Sequence, residues 1–263
     1  MDWRTRRQLM MLAVFLLVLL AMGFGTYYLF FYEPGTCFDA KKNQGEEEVD
    51  CGGPCAPCAF KHQKPVQVFF ARFLQSRPTN YDIIAQIQNP NDHLAANPLL
   101  YRMRLFDDKG AEVGRRENQT YIYPNDKIYV VESNFVTERT VVEARLEIID
   151  DETKWEYTNE IRPDLTLGNK KYEVIRQDSV EVGRVTADLT NRSDYTYQEV
   201  NVRVALLDPD GNIMAAGATV VDKMKSGESR SMQFVWPAKP AGTVARIEME
   251  ARANGLNRLN LLP

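Results

Sequence analysis

Cysteine disappears from this chain after Cys58, and histidine occurs only twice in 263 residues, at His62 and His93. The first absence excludes a core disulfide or a thiolate metal site from everything beyond residue 58. The second leaves little for acid–base chemistry. Neither histidine stands in a Ser–His–Asp or Cys–His arrangement, and a lone loop histidine is ordinarily just solvated. HExxH, GxSxG, Walker and GxGxxG patterns are all missing. The chain therefore reads as non-catalytic and without a cofactor. Positive charge is not in excess either: Lys and Arg number 32 against 36 Asp and Glu, a formal net charge of -4. Residues 1–31 carry +2, so the remainder carries −6. A mildly acidic body excludes nucleic acid as a partner, because binding it needs clustered Lys and Arg.

Long apolar runs are also lacking, with one exception. Leu9–Phe31 is a stretch of 23 residues without a charge. As a helix it would span roughly 34 Å, enough for a bilayer core of about 30 Å. Arg4, Arg6 and Arg7 precede it, and no basic residue follows until Lys41. Basic flanks mark the cytoplasmic side of a span. The expectation is a single-pass anchor in a bacterial cell membrane, with lipid as its first partner, the N-terminus inside and the rest outside. Thr5-Arg6-Arg7-Gln8-Leu9-Met10 has the look of a twin-arginine export signal, but paired arginines serve equally to orient a helix. A cleavable signal has a shorter apolar region and a small-residue cleavage site. Here aromatics close the run, at Tyr27, Tyr28, Phe30, Phe31 and Tyr32, as in an interfacial belt. Lipoprotein-type cysteine spacing is absent, and a cleaved signal is the alternative.

All four cysteines, Cys37, Cys51, Cys55 and Cys58, lie within TCFDAKKNQGEEEVDCGGPCAPC. An even count outside the cytoplasm predicts two disulfides, with three pairings open. In a cytoplasmic setting the C-x13-C-x3-C-x2-C spacing would instead suit a four-thiolate zinc site. Asp39, Asn43, Glu46 and Asp50, next to Glu47 and Glu48, offer hard oxygen ligands of the kind calcium takes. They do not match an EF-hand loop, and acidic runs are commonly plain solvated surface. The segment resembles a small cysteine-rich module of the form CxDGxxNxxExGVDCGGxCxxC, seen on exported and surface proteins. Ala40 and Glu48 stand where that pattern has Gly. The resemblance speaks for location and is nearly silent on function. A cross-linked knot above the membrane would make a stiff stalk, because disulfides restrict the chain.

Beyond the stalk the sequence repeats itself. Ile83, Ala85, Ile87 and Asn89 align with Val185, Ala187, Leu189 and Asn191. Tyr101, Met103, Leu105 and Phe106 align with Val202, Val204, Leu206 and Leu207, and Ala144–Ile148 with Ala245–Met249. The offset stays at 101 or 102, which argues for two copies of one domain. Apolar and polar residues alternate, as in Val200/Val202/Val204/Leu206, and this period of two is that of a half-buried strand. Asn89-Pro90-Asn91-Asp92, Asp107-Asp108-Lys109-Gly110, Asp208-Pro209-Asp210-Gly211 and Ser226-Gly227-Glu228 supply turns. Short punctuated strands in units of about 100 residues predict a mainly β protein with two tandem immunoglobulin-like β-sandwiches.

The expected organisation is a cytoplasmic N-terminus at 1–8, a transmembrane helix at 9–31, a cysteine-rich stalk at 32–63 and a first sandwich at 64–163. A linker at 164–169, a second sandwich at 170–253 and a C-terminal tail at 254–263 follow. The linker is short, which predicts end-to-end sandwiches with limited bending. Met103-Arg104-Leu105-Phe106-Asp107 and Val204-Ala205-Leu206-Leu207-Asp208 resemble the signature of the FxLYD family, as do the strand ends Ile87-Gln88-Asn89 and Leu189-Thr190-Asn191. Both copies lack the leading Phe. The resemblance implies extracytoplasmic β modules in which a strand ends at the motif and turns at Asp-x-x-Gly, without chemistry in the motif.

Other residues invite bland explanations. Asp208 and Asp210 read as turn formers rather than a carboxylate pair. Tyr121, Tyr123, Tyr129, Tyr195 and Tyr197 read as strand and core residues, although exposed tyrosines would suit a binding surface. Trp155 and Trp236 read as core or interdomain residues, and Trp3 as interfacial. Asn118-Gln119-Thr120 and Asn191-Arg192-Ser193 are sequons only in a host that glycosylates them. The functional expectation is an anchored interaction or assembly module of the cell envelope whose partner is another envelope protein or a surface polymer. The alternative is a passive spacer.

Overall fold

The computed structural model describes residues 3–32 and 35–262. Met1 and Asp2 of the N-terminal segment, Glu33 and Pro34 of the stalk and Pro263 of the tail lie outside the described residues. The chain divides into two compact units, 1–61 and 62–263.

In the first unit, helix α1 (Trp3–Phe30) runs unbroken for 28 residues. Proline is absent from it and Leu9–Phe30 carries no charge, so nothing interrupts the hydrogen-bond ladder. At about 1.5 Å per residue it is roughly 42 Å long. It has the length and composition of a membrane span and, near an N-terminus, equally those of a signal sequence. Residues 35–61 have almost no apolar interior: Glu46, Cys51 and Gly52 are buried there. Two interleaved disulfides, Cys37–Cys55 and Cys51–Cys58, close this segment, and a one-turn helix α2 (Cys58–Lys61) ends it.

The second unit is all antiparallel β. Its first half contains β1 (Gln67–Arg77), β2 (Asn80–Gln88), β3 (Leu94–Asp107), β4 (Glu112–Ile122), β5 (Lys127–Val136), β6 (Val141–Ile148) and β7 (Trp155–Tyr157). Sheet β1-β2-β5 faces sheet β4-β3-β6, and β7 pairs the start of β3. Its second half contains β8 (Leu165–Gln177), β9 (Val180–Asn191), β10 (Thr196–Leu207), β11 (Ile213–Met224), β12 (Ser229–Trp236), β13 (Arg246–Arg252) and β14 (Leu261–Leu262). Sheet β8-β9-β12 faces sheet β11-β10-β13, and β14 pairs the start of β10. Each half is a sandwich around its own core, built on Ile83, Ile87, Met103 and Leu105 in one and on Val185, Leu189, Val202 and Leu206 in the other.

Two boundaries differ from the expected ones. Leu165–Asn169, read as linker, lies within β8, where Leu165 and Leu167 pair Asn191 and Leu189 and pack on the second core. Alternation of those leucines continues the strand pattern up to Pro163. The tail is likewise part of the second sandwich, because Leu261 and Leu262 pair Tyr197 and Thr196 just as β7 pairs β3.

The sandwiches also meet through a third apolar cluster. Ile84 of β2, Ala205 and Leu207 of β10 and Ala216 of β11 are buried together, with Leu74, Tyr129, Val131 and Ile213 packed around them. These are the outer faces of sheets β1-β2-β5 and β11-β10-β13. An end-to-end arrangement on a short linker is therefore not what the chain adopts. Ile83-Ile84-Ala85 and Val204-Ala205-Leu206-Leu207 break strict alternation because their strands are covered on both faces.

Candidate interaction surface

The seam between the sandwiches is polar along one margin of this apolar cluster. Arg252, at the end of β13, is only 1% exposed, and Asp126, in the turn before β5, is 7% exposed. They form an ion pair through Nη2 and Oδ2. Burial opposes the guanidinium charge, but the carboxylate and its hydrogen bond outweigh that, and the pKa of Arg252 lies above its ordinary value. Arg162 Nη1 stands 3.9 Å from the other Asp126 oxygen. The Arg252 Nε and Nη1 groups are buried without hydrogen-bond partners, with the Tyr121 ring 5.5 Å from the guanidinium carbon.

Further bonds cross the seam. Tyr123 donates its hydroxyl proton to the Ala253 carbonyl at 3.2 Å and accepts from the Gly255 N–H at 2.8 Å. Tyr129 donates its N–H to Glu250 Oε1 at 3.0 Å and its hydroxyl to Glu248. Burial comes first, and the hydrogen bonds second, in raising the pKa of Tyr129. Asn254 Nδ2 donates to Asn97 Oδ1 at 3.0 Å, and within the second sandwich Arg203 Nη1 pairs Glu250 at 3.2 Å.

An open groove of about 720 Å³ lies along the seam. Eight of its fourteen lining residues carry side-chain amides, contributed by both sandwiches. Some are committed: Asn260 bridges the N–H and carbonyl of Glu199, and Asn118 Oδ1 caps the N–H of Gln119 at 2.8 Å. Gln119 and Gln198 are exposed, and their side chains make no hydrogen bond among the described residues. In the wall, Tyr121 is 6% exposed and its hydroxyl has no hydrogen bond of ordinary geometry. Burial raises its pKa, and the nearby Arg252 and Arg203 charges and the Asn201 amide act in the opposite sense.

The residues singled out from sequence fall elsewhere. Asp39, Asn43, Glu46 and Asp50 lie near one another; the carboxylates accept hydrogen bonds within the segment, whereas Asn43 Oδ1 is buried without a partner. Asp50 Oδ1 accepts from the Asp39 and Ala40 N–H groups at 3.0 and 3.1 Å. Asp39 accepts from the Asn43 side chain at 2.7 Å and from the Lys41 and Thr36 N–H groups. The Asn43 hydrogen bond, then those to the backbone, hold the Asp39 pKa below its ordinary value. Glu46 Oε2 accepts from the Asn43 and Asp50 N–H groups at 3.3 and 3.1 Å. Among the described residues the tight groupings of ligand atoms are Cys37–Glu46–Cys55 and Glu48–Cys51–Cys58, and in both the sulfurs are already bonded to each other. The Asp39 and Asp50 carboxylates and Glu46 Oε2 face N–H groups, and Asn43 Oδ1 faces none. All four cysteines being in disulfides, the zinc alternative has no thiolates left.

Asp208 Oδ1 accepts from the Asn212 N–H at 2.7 Å, and Asp107 Oδ1 from the Lys109 and Ala111 N–H groups. Both are turn formers. His93 Nδ1 lies 3.0 Å from Asn159 Oδ1 beside the Tyr157 ring. Trp236 is a core residue, its Nε1–H donating to the Ala216 carbonyl at 2.9 Å, and Trp155 packs against the first core. Tyr121, Tyr123 and Tyr197 are buried, whereas Tyr195 is exposed.

Arg252 and Asp126 were not singled out. Asp126 aligns with Glu228, since Asn89 and Asn191 donate their N–H to the carbonyls of those two residues. By strand register Leu146 on β6 corresponds to Met249 on β13, which places Arg252 against Ile149.

No family model matches this chain, and no curated protein matches it. Among solved structures, 71% of the chain is similar to part of red sea bream transglutaminase, at 14% identity and a TM-score of 0.22. The chain spans 29% of that enzyme's length. It is also similar, over 73% of its length and 85% of the other chain, to the N-terminal CBM22-1–CBM22-2 tandem of Paenibacillus barcinonensis Xyn10C, at 10% identity and a TM-score of 0.16. At these scores neither likeness carries a functional argument.

Proposed function

We propose that this protein is a non-catalytic interaction module of a bacterial cell envelope. The first helix holds it in the membrane by its cytoplasmic N-terminus, and the two sandwiches stand outside as tandem copies of one FxLYD-like domain. The observation that carries this reading is the buried seam. A third apolar cluster and the Arg252–Asp126 pair fix one sandwich against the other, so surfaces from both are presented in one geometry. A flexible spacer has no use for a buried ion pair between its beads, whereas a binding platform gains by not having to be ordered on association. The disulfide pairs support an extracytoplasmic setting, because such bonds persist in oxidising compartments. Arg4, Arg6 and Arg7 before the helix support the orientation.

The test is purification of tagged full-length chain from its native membranes after brief chemical cross-linking. One stoichiometric envelope protein or polymer, lost on Arg252→Ala, supports the module. A folded chain that emerges alone favours the passive spacer, as does full function when one sandwich is exchanged for an unrelated one.

A further inference from the structure

We propose that the seam groove binds a neutral oligosaccharide. The charge in the groove is the first argument. Arg203, its cation, is already paired with Glu250 at 3.2 Å. The other charged lining residue is Glu199, so nothing there would hold a phosphate, a uronate or another anion. The second argument is chemical matching. A primary amide offers two donors and an acceptor, and a sugar hydroxyl is both donor and acceptor. More than half of the lining residues are amides, and Gln119 and Gln198 face solvent with their side chains uncommitted. The third is the Tyr121 hydroxyl, a buried polar group in the groove wall that has no hydrogen bond of ordinary geometry and only the Asn201 amide nearby. Such groups are costly unless something satisfies them.

An extended peptide is the other polar chain a groove might take, and the backbone along the groove offers it little. β10 is flanked on both sides by β11 and by β13 with β14. On the edge strand β4, the N–H of Gln119 is capped by Asn118. Strand addition is thus blocked at β10 and interrupted at Gln119 of β4, where the groove lies. Recognition falls to side chains, and the groove's volume is in the range of small-ligand sites. Because the walls come from both sandwiches, the Arg252–Asp126 pair also sets the groove's width.

This inference rests on the reading of the unit as an interaction module, and the two fail separately. Full-length chain in a detergent without a sugar head group is titrated calorimetrically with cellohexaose, xylohexaose, mannohexaose, maltohexaose and chitohexaose. Hexagalacturonate and an unstructured Ser/Asn-rich peptide are run alongside. The expected result is heat of binding with at least one neutral hexasaccharide at millimolar concentration or below. Gln119→Ala with Gln198→Ala should weaken it about tenfold at an unchanged melting temperature. Gln233→Ala, on exposed β12, should leave it as it was. The proposal is overturned if no neutral sugar binds the folded chain, if only the galacturonate or the peptide binds, or if the groove pair and Gln233 variants bind alike. A chain that binds no sugar yet co-purifies with one envelope protein loses the groove assignment and keeps the module.

Discussion

Residues 35–61 and residues 62–263 reach a fixed shape by opposite means. The first segment buries Glu46, Cys51 and Gly52 and is held by two interleaved disulfides and by carboxylates turned onto backbone N–H groups. The second contains no cysteine and is held by three apolar clusters and one buried ion pair. The difference follows from size. A segment of this length cannot enclose enough apolar surface to offset its chain entropy, so covalent links must restrict the unfolded state instead. Two sandwiches of about 100 residues each have the volume for a real core, and there a cross-link is unnecessary.

The largest perturbation should be to the seam. Arg252→Ala would leave Asp126 buried with only the distant, exposed Arg162 for company. We expect a loss of about 3–5 kcal/mol in denaturant unfolding of the second unit, with hydrogen exchange in 35–61 unaltered. A cost below 1 kcal/mol would show that the seam is held by the apolar cluster and the tyrosine and amide bonds without the ion pair. Next comes Cys37→Ser with Cys55→Ser, which opens a loop of 18-residue separation. The chain-entropy estimate is about 3 kcal/mol, confined to the stalk. Exchange protection should vanish over 35–61 and persist over 62–263, and loss in both would break the comparison.

The two sandwiches can be compared in turn through Asn89 and Asn191, which are fully buried. Asn89 donates to the Leu94 and Tyr123 carbonyls, and Asn191 to those of Tyr195, Met224 and Lys225. Each Oδ1 accepts from an N–H two residues on. Alanine at either place strands several backbone groups and should cost about 1–3 kcal/mol, read as a shift in urea midpoint. A clear inequality would mean that the two sandwiches do not use the buried asparagine alike.

Smaller is Ala40→Gly. Ala40 sits at φ 57°, in the left-handed region, where a side chain costs roughly 1 kcal/mol. Glycine should raise the temperature at which protection of 35–61 is lost. Smallest is the acid response of the turns. Hydrogen bonds from Asn212 lower the pKa of Asp208, and backbone bonds from Ala111 and Lys109 lower that of Asp107. A folded-state pKa below the unfolded value of about 3.9 gives stability that is present above pH 4 and lost as pH falls through the folded value. Asp208→Asn should therefore flatten the fall in urea midpoint below pH 4. A parallel fall in variant and parent would assign the acid sensitivity to other carboxylates.

Much of this was legible in residue order. Period-two alternation and Asp-x-x-Gly turns are local signals, and they located the strands. The buried asparagines were visible as strand-end residues, although what they bond to was not. The amide-rich groove had no sequence signal, because Gln119 and Gln198 come from strands in different sandwiches that meet only on packing. Leu165–Asn169 and Leu261–Leu262 were misread because a Pro-Gly neighbourhood and a short tail look like punctuation until a partner strand is known.

The sequence alone determined that an uncharged helix can span a bilayer, that the cysteines cluster and that the rest is β. Each of these depends on what one residue does to its near neighbours. Tertiary structure decided which cysteines join, which face of β2 and β10 meets the other sandwich, and that Arg252 and Asp126 share one buried site. Those outcomes depend on pairs far apart in the chain, whose energies exist only once the intervening residues have packed.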